Sequence, residues 1–255
     1  MGKVQYTWPV GGHKRDRGRL IMIQFDTEVI DVIRRTHNVK SFRFKRTKEA
    51  DFKAGQFFFV TIEVNGEERT KHFSFSSSPT ESKYIEFTKK ITGSDYSKAL
   101  DMIKVGDWAR IKMPKGSFTF DGEYERIAFL SGGIGITPIR SICRYVIDRK
   151  IGTDMVLLYG NRSEEDIVFK ADFDRMQDEY PGLKVVHVLC EEPLNCQAKK
   201  GFINKDIIED AVMDYEKRQF YVCGPPKMVE AMNGILKDQL SLTEDTIITE
   251  NFTGY

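Results

Sequence analysis

The sequence of 255 residues lacks several features that would assign it to common protein classes. No apolar run approaches the roughly 20 residues that a membrane-spanning helix needs. The apolar run near the basic N-terminus, residues 20–23, is too short for the core of a signal peptide. Internal repeats and low-complexity tracts are absent from the sequence. We therefore expect a cytoplasmic protein with no membrane span.

Metal-binding patterns are missing as well. The cysteines, Cys143, Cys190, Cys196 and Cys223, show no C-x-x-C spacing, and the four histidines are scattered at positions 13, 37, 72 and 187. These spacings argue against a zinc ribbon or an iron–sulfur cluster held by this chain alone. We expect no metal site, so the chemistry must come from an organic cofactor or from side chains alone.

Charge is nearly balanced overall, with a formal net charge of +1, but it is unevenly distributed. Residues 1–121 contain 23 Lys and Arg against 15 Asp and Glu, whereas the remainder carries an excess of seven negative charges. A basic half can attract an acidic macromolecule. A compositional accident on solvated faces is the alternative explanation.

The first half of the chain has the pattern of short β-strands. Segments rich in β-branched and aromatic residues are separated by turn signals such as Ala54-Gly55 and Asn65-Gly66. We predict strands at residues 25–34, 39–44, 57–64, 71–75, 84–91 and 108–113, and one short helix at residues 96–103. This pattern is typical of an antiparallel barrel or sandwich.

After Asp121-Gly122 the rhythm changes to an alternation of strands and helices. We predict strands at residues 127–130, 155–159, 185–189, 220–223 and 246–249, and helices near residues 138–149, 170–180, 205–212 and 227–240. Such alternation indicates a parallel sheet with right-handed crossovers, whose ligands bind beyond the carboxyl ends of the strands. The loops that follow four of these strands therefore converge on one edge; they begin at Gly132, Gly160, Cys190 and Cys223.

A glycine-rich segment at residues 132–138, Gly-Gly-Ile-Gly-Ile-Thr-Pro, joins a predicted strand to a predicted helix. Glycines let a backbone approach phosphates closely, and a helix start supplies unpaired N–H groups and the positive end of the helix dipole. We expect Thr137 to cap the helix and Pro138 to occupy its first position. The spacing G-G-x-G-x-x-P differs from the usual dinucleotide-binding G-x-G-x-x-G, and an ordinary turn before a helix is the alternative.

Four motifs occur along the chain in a fixed order. They are Lys71-His72-Phe73-Ser74, Gly93-Ser94-Asp95-Tyr96-Ser97, the glycine segment at residues 132–138, and Cys223-Gly224-Pro225-Pro226. At these separations they resemble the ferredoxin–NADP reductase superfamily of flavin oxidoreductases. They are similar, in turn, to its R-x-Y-S flavin motif, its flavin-phosphate helix start, its pyrophosphate loop and its C-G-P-P nicotinamide motif. The likeness covers residues 25–255.

The resemblance implies a fold with two domains. An antiparallel Greek-key β-barrel that binds flavin would occupy residues 20–121. A parallel-sheet α/β domain that binds a pyridine nucleotide would occupy residues 122–255. Residues 1–19 are left as an N-terminal extension.

The resemblance also assigns roles on the flavin side. It places Phe73 against the isoalloxazine ring, Ser74 beside flavin N5 and Lys71 on a phosphate. Lys71 and Phe73 stand where the family usually has Arg and Tyr, so the bidentate fork and the phenol hydroxyl are lost and flavin would bind more loosely. The family favours FAD over FMN. Further flavin-side residues implied are His72, Lys90, Gly93, Tyr96 and Ser97.

On the nucleotide side, the resemblance implies a larger set of contacts. The implied residues are Gly132, Gly133, Gly135, Thr137, Pro138, Asn161, Arg162, Glu191, Cys223, Gly224 and Pro225. Cys223 would pack near the nicotinamide without acting as a nucleophile, or be a buried structural cysteine. It forms the expected catalytic set with Ser74 and Glu250.

The last six residues have counterparts in related reductases. Glu250 matches an acidic residue that relays a proton to the flavin. Phe252 matches an aromatic residue that covers the ring where nicotinamide enters. Tyr255 would reach the adenine of FAD, or it is a frayed terminus.

The implied reaction is hydride transfer from NAD(P)H to FAD, followed by single-electron transfer to a separate acceptor such as ferredoxin or flavodoxin. The basic first half predicts that this acceptor is an acidic protein, and we expect no nucleic-acid partner. A free flavin or ferric reductase, and a flavin- and nucleotide-binding subunit of a larger complex, are the alternatives.

We favour NADH over NADPH as the electron donor. Cys190 and Glu191 stand where NADP-dependent relatives have Ser and Arg for the 2′-phosphate. Arg162 and Ser163 argue the other way, because both can bind a phosphate.

Overall fold

The computed structural model describes residues 21–193 and 196–252. The predicted extension at residues 1–19 and the predicted contact of Tyr255 lie outside these residues. Within them, no helix combines the length and the apolar character needed to cross a membrane. The described residues form one antiparallel and one parallel sheet, each of six strands, which confirms the predicted fold class.

The antiparallel sheet contains the first six strands and is accompanied by one helix. They are β1 (Ile23–Arg34), β2 (Val39–Lys45), β3 (Phe57–Val64), β4 (Glu67–Ser74), β5 (Tyr84–Lys90), α1 (Asp95–Met102) and β6 (Trp108–Lys115). The strand order is β4-β3-β6-β1-β2-β5. Just beyond β4, Phe75 bridges Phe87 of β5, so the two edge strands meet and the sheet curls into a barrel.

β3 illustrates how the sequence builds this barrel. Phe58, Val60 and Ile62 are buried, while the residues between them point to the outer face, as expected for a strand with one face in the core. The ring of Phe58 stacks on that of Phe75 with centroids 4.2 Å apart. Packed aromatic rings therefore support the end of β4, where the flavin motif lies.

β4 begins four residues earlier than the sequence predicts. The hairpin turn before it, Asn65-Gly66, has φ of 54° and 79°, the left-handed pair that a tight two-residue hairpin requires. The residues at 67–70 are Glu, Glu, Arg and Thr, and all are exposed. Because β4 is an edge strand, its start shows no apolar alternation, and the prediction missed it.

The parallel sheet contains the remaining strands, with helices between them. They are β7 (Arg126–Gly132), α2 (Ile136–Asp148), β8 (Asp154–Asn161), α3 (Lys170–Glu179), β9 (Leu183–Leu189), β10 (Ala198–Lys200), α4 (Lys205–Ala211), β11 (Gln219–Gly224), α5 (Pro226–Gly234) and β12 (Ile247–Asn251). α5 continues into a π-helical turn, Ile235–Gln239. The order is β10-β9-β8-β7-β11-β12. The three-residue edge strand β10 was not predicted.

Helices cover both faces of this sheet and create two cores. On one face, Phe129 of β7 packs in a cluster with Ile139 of α2 and Phe173 of α3. On the other face, Leu130 packs in a cluster with Met232 of α5. Alternate residues of β7 thus enter opposite cores, which fixes the strand and the loop that follows it.

Helix α2 begins earlier than the sequence predicts. A 3-10 turn, Gly133–Gly135, runs directly into α2 at Ile136, and no side chain caps the helix. Thr137 lies inside the first turn, where its hydroxyl donates to the Ile134 carbonyl oxygen at 3.1 Å. The predicted cap at Thr137 and the first-position Pro138 are therefore wrong, because the 3-10 turn supplies the helix start. Pro138 still lies in the first turn, where its missing N–H leaves no hydrogen bond unmade.

Candidate functional site

The flavin motif lies at the end of β4, next to the parallel-sheet half. The half-buried ring of Phe73 stacks on Phe87 of β5 with centroids 4.2 Å apart, and Tyr96 of α1 lies 6.0 Å away. Ser74 is 5% exposed, and its Oγ has no hydrogen-bond partner among the described residues. A buried hydroxyl without a partner lowers stability, so Ser74 is suited to a hydrogen bond with a ligand.

Lys71 and His72 lie on opposite faces of β4, because successive strand residues alternate. Lys71 is exposed opposite Val60 of β3. Burial, and then the charge of Lys71, lowers the pKa of Lys89 on β5. Both lysines add positive charge on the two edge strands that meet here, and this charge favours an anion such as a phosphate. His72 instead lies on the outer face of the barrel, away from Lys71.

The start of α1 offers fewer side-chain groups than its motif suggests. Ser97 is fully buried, and its hydroxyl accepts a hydrogen bond from the Thr92 N–H at 2.7 Å. The Tyr96 hydroxyl donates to the Val60 carbonyl oxygen at 2.8 Å, and burial raises its pKa. Gly93, before the helix, has open space where a side chain would stand. A phosphate here would therefore meet backbone groups rather than these two hydroxyls.

A cavity of about 330 Å³ opens at the carboxyl edge of the parallel sheet. Loops after β7, β8 and β9, the start of α5 and the end of β5 line it. Predicted residues that line it are Lys90, Gly132, Gly133, Asn161, Arg162 and Pro225. Lining residues that the sequence analysis did not assign include Phe202, Ile203, Met228 and Met232. Its size and mixed lining suit an organic ligand.

Glycines allow the loop after β7 to approach β11. A Cβ on Gly135 would clash with the Cys223 carbonyl oxygen and lie 2.7 Å from the Gly224 Cα. Gly133 has φ of 53° and open space at the Cβ position. The loop is therefore packed against β11 on one side and open on the other, as a phosphate-binding turn at a helix start must be.

Two more buried polar side chains lie at the carboxyl ends of β7 and β8. Ser131 Oγ and both polar atoms of the Asn161 side chain have no hydrogen-bond partner among the described residues. The Tyr159 hydroxyl is near Asn161 but donates to the Gly133 carbonyl oxygen at 3.0 Å. These groups, with the open glycine turn, fit a ligand rich in hydroxyl and phosphate oxygens.

The outer end of the cavity carries an ion pair and an exposed ring. Arg162 Nε lies 2.8 Å from Glu191 Oε1, and both side chains are more than half exposed. Arg162 lines the cavity, and Glu191 reaches it through this pair. Phe202, which follows β10, is 78% exposed. An exposed ring at a cavity mouth is suited to stack on a flat base. Phe202 was not assigned because the sequence analysis missed the edge strand β10, which ends two residues before it.

Cys223 and Glu250 are neighbours in the register of β11 and β12. Burial raises the pKa of the Cys223 thiol well above its usual value, so it stays protonated rather than nucleophilic. Burial also raises the pKa of Glu250 to about 7. Glu250 can therefore hold or release a proton near neutral pH. Beyond it, the half-buried Phe252 donates its N–H to the Gly224 carbonyl oxygen at 3.0 Å.

The predicted residues thus form two groups and leave some outside both. Phe73 and Ser74 lie at the end of β4, and the nucleotide-side glycines lie at the cavity or against β11. Thr137 and Pro138 are buried within the first turn of α2, so their side chains contact protein. His72 faces the outer surface of the barrel.

Two family profiles match consecutive parts of the chain. Residues 26–120 match the oxidoreductase FAD-binding domain, and residues 129–234 match the oxidoreductase NAD-binding domain. The first profile matches the antiparallel half and the second matches the parallel-sheet half up to residue 234, before β12.

Individual relatives and structures agree with these profiles. NADH-cytochrome b5 reductase 1 of Dictyostelium discoideum is 31% identical over 220 residues, which are 84% of this chain and 77% of the relative. The glycine betaine monooxygenase reductase subunit of Pseudomonas aeruginosa is 30% identical over 82% of this chain, which spans only 59% of that protein. The cytochrome b5 reductase domain of Ulva prolifera nitrate reductase has a TM-score of 0.79 at 23% identity, covering 89% of this chain and 97% of the domain, and shows the same fold.

Proposed function

Because the chain belongs to the ferredoxin reductase family of FAD- and NAD-binding oxidoreductases, we propose that it takes electrons from NADH through FAD and passes them singly to a separate acceptor. It is an NAD(P)H-dependent flavoprotein oxidoreductase, and its cofactor is FAD. FAD supplies the conversion between a two-electron donor and a one-electron acceptor. The donor preference, the role of each residue and the nature of the acceptor are the parts that we propose.

The observation that carries the proposal is the unpartnered Ser74 Oγ at the end of the flavin motif. We assign this hydroxyl to a hydrogen bond with the reacting edge of the flavin ring. Phe73 packs on the ring, and Lys71 neutralises a phosphate with Lys89 as a second cation nearby. This assignment gives the buried hydroxyl and the exposed cation a ligand that satisfies both.

On the nucleotide side, we assign the pyrophosphate to the backbone N–H groups of Gly133–Gly135 and the start of α2. The Asn161 side chain then bonds the ribose, and Phe202 stacks on the adenine. The compact thiol of Cys223 leaves room for the nicotinamide ring, and Glu250 beside it holds a proton. The unsatisfied polar atoms and the exposed ring support this arrangement.

We assign the preference for NADH to Glu191. Its Oε1 lies 2.8 Å from Arg162 Nε, so a 2′-phosphate approaching Arg162 would also meet the negative charge of the Glu191 carboxylate. A ribose 2′-hydroxyl can instead donate a hydrogen bond to a carboxylate. The pair therefore favours the nucleotide without the extra phosphate.

We assign the docking of an acidic carrier protein to the outer face of the barrel beside the flavin motif. The rings of Phe57, Phe59 and His72 cluster there, with centroids 5.3 to 6.2 Å apart. Lys115 Nζ lies 5.7 Å from the Phe59 ring, and Lys112 is opposite Phe59 in β6. Residues 21–121 carry 18 Lys and Arg against 14 Asp and Glu, so the excess within the described barrel is smaller than over residues 1–121. An aromatic patch flanked by lysines suits an acidic partner.

A test of the flavin assignment compares two cations on the same face of β4. Lys71→Ala removes a phosphate partner and should weaken FAD binding about tenfold or more, measured by equilibrium titration of flavin fluorescence. Arg69→Ala is the control, because Arg69 is already paired with Glu67 at 2.8 Å. An equal effect of both substitutions would contradict the role of Lys71. A parent chain that binds no FAD would contradict the proposed function.

A free flavin reductase is the second candidate, because Lys71 and Phe73 replace the usual Arg and Tyr. The lost guanidinium fork and phenol hydroxyl favour an exchangeable flavin. Rapid loss of FAD on gel filtration, together with NADH-dependent reduction of added free flavin at a higher rate than of any carrier protein, would favour this candidate.

A further inference from the structure

Arg140 is a charged side chain that is almost completely buried, at 5% exposure, in the middle of α2. Its Nη1 donates to the Ser76 carbonyl oxygen at 2.7 Å and to Glu81 Oε2 at 2.8 Å, and its Nη2 reaches Glu81 Oε1 at 3.2 Å. Its Nε donates to Asp172 Oδ2 at 3.1 Å. The guanidinium therefore uses its planar fork on a carboxylate and two further acceptors, an arrangement that only arginine can make.

The partners of Arg140 belong to the two halves of the molecule. Ser76 and Glu81 follow the flavin motif in the barrel half, whereas Asp172 is on α3 in the parallel-sheet half. The next residue, Ser141, adds a second bond of the same kind by donating its hydroxyl to the Ser77 carbonyl oxygen at 2.7 Å. The helix that starts at the glycine turn is thus hydrogen-bonded to the segment that continues from Ser74.

A strained residue lies beneath the same guanidinium. Phe169, immediately before α3, has φ of 64°, a left-handed conformation that is unfavourable for a bulky residue. Its ring lies 5.3 Å from the Arg140 guanidinium and 4.9 Å from that of Arg35 in the barrel half. The ring of Phe169 therefore lies against both guanidinium groups, and its contact with Arg35 joins the two halves beside Arg140.

The charges in this cluster stabilise one another. Burial alone would raise the pKa of Glu81, but the hydrogen bond from Arg140 lowers it below its ordinary value. Burial alone would likewise lower the pKa of Arg140, but Glu81 raises it. Both groups are therefore ionised, and the bond between the halves is a charge-assisted one.

We propose that Arg140 is a positioning residue, which fixes the flavin-binding end of β4 relative to the nucleotide-binding turn before α2. The inference rests on the proposed function, since the two ligands must meet at the boundary that Arg140 spans. Transfer between bound reactants depends steeply on their separation and orientation, so a loosened boundary slows the transfer without weakening either binding site. Arg140 does not itself line the cavity.

The test removes the planar guanidinium of Arg140 while keeping its positive charge. Arg140→Lys retains a cation for Glu81, but its single nitrogen replaces the three separate nitrogens that Arg140 directs at Glu81, Ser76 and Asp172. Arg126→Lys is the matched control, because Arg126 on β7 pairs with Asp214 at 3.0 Å and both residues are in the parallel-sheet half. Each FAD-loaded protein is mixed anaerobically with saturating NADH, and the rate of loss of the visible flavin band is measured. Amide hydrogen exchange over residues 76–81 supplies a readout that is independent of activity.

We expect Arg140→Lys to slow flavin reduction about tenfold or more, with FAD content and NADH affinity unchanged. Exchange over residues 76–81 should be faster in this variant, and Arg126→Lys should match the parent in every readout. The proposal would be overturned if Arg140→Lys reduced its flavin at the same rate as the parent. Equal slowing of flavin reduction in both variants would also overturn it.

A second variant decides the question if Arg140→Lys loses FAD or does not fold. Ser141→Ala removes only the hydroxyl bond to Ser77, and it should slow flavin reduction in the same direction. An unchanged rate in Ser141→Ala would then overturn the proposal. If neither NADH nor NADPH reduces the FAD bound to the parent chain, that result would instead contradict the proposed function.

Discussion

We assign the choice between the two nucleotides to Glu191, because it places a carboxylate beside Arg162. We predict that Glu191→Arg lowers the ratio of kcat/KM for NADH to that for NADPH by about tenfold or more, since two arginines would then face the 2′-phosphate. Steady-state kinetics with both donors measures the ratio. Glu192→Arg is the control, because Glu192 pairs with Lys200 rather than Arg162. A parent that prefers NADPH, or a ratio that Glu191→Arg leaves unmoved, would contradict the assignment.

Glu250 predicts a dependence of stability on pH. The folded chain holds its proton up to a pKa of about 7, whereas the unfolded chain releases it near 4.5. The stability contributed by the protonated form is therefore complete below pH 4.5 and is lost as the pH rises through 7. Glu250→Gln removes the carboxylate that is ionised above pH 7, so the variant should have a larger free energy of unfolding than the parent at high pH. The difference between variant and parent should be about 2 kcal/mol larger at pH 8 than at pH 5.

Urea unfolding at both pH values, at constant flavin content, measures this difference. Glu244→Gln is the control, because Glu244 is exposed and lies 3.3 Å from Lys237. A gain for Glu250→Gln that is the same at the two pH values would show that Glu250 is ordinarily ionised in the folded chain. In that case it could not supply a proton near neutral pH.

At the scale of elements, the glycine turn before α2 makes the sharpest prediction. Gly135→Ala places a methyl group against the backbone of Cys223 and Gly224, so the turn must move away from β11. We predict a loss of about 1–3 kcal/mol in the free energy of unfolding, together with a higher KM for NADH. Denaturant unfolding and steady-state kinetics measure the two effects.

Gly152→Ala is the matched control for that substitution. Gly152 has open space at its Cβ position, and its φ is not in the left-handed region. We expect no loss of stability and an unchanged KM for NADH. If Gly135→Ala behaves in the same way, the close approach of the turn to β11 does not control nucleotide binding.

Elements with strong apolar patterns could be predicted from the sequence, and those set by neighbours could not. The strand Phe57–Val64 was predicted with its observed bounds, because its alternate residues are buried. β10 and the start of β4 were missed, because edge strands are held by backbone pairing and need no apolar pattern. The start of α2 was misplaced, because a 3-10 turn, invisible as a side-chain pattern, replaces the cap expected at Thr137.

The site could be predicted only in part for a similar reason. The convergence of the loops on one edge of the sheet could be predicted from the alternation of strands and helices. The position of Gly135 against β11 depends on strand order, because β11 pairs with β7, and the alternation does not specify that order. The contacts of Arg140 with Ser76 and Glu81 join residues 64 and 59 positions apart, and the ring of Phe202 follows an edge strand that was missed. Such contacts depend on how the two sheets pack against each other, and the local sequence pattern does not predict that packing.

At the scale of the whole molecule, the charged barrel predicts how the acceptor reaction responds to salt. Reduction of an acidic carrier protein should slow as ionic strength rises, whereas reduction of a neutral quinone should change little. Lys115→Glu, beside the aromatic patch, should slow the carrier reaction at low salt. Lys48→Glu, an exposed lysine between β2 and β3, changes the net charge equally and should have a smaller effect. A carrier rate indifferent to salt and to both substitutions would contradict docking on this face.

In the function that we propose, electrons pass from NADH to FAD held between the two sheets. Anaerobic addition of one equivalent of NADH to the FAD-loaded chain tests it directly, with the visible flavin absorbance as the readout. We expect the band to be lost, and to be lost faster with NADH than with NADPH. A band that persists with both nucleotides, yet disappears when dithionite is added, would show that neither nucleotide reduces the bound FAD and would contradict the proposed function.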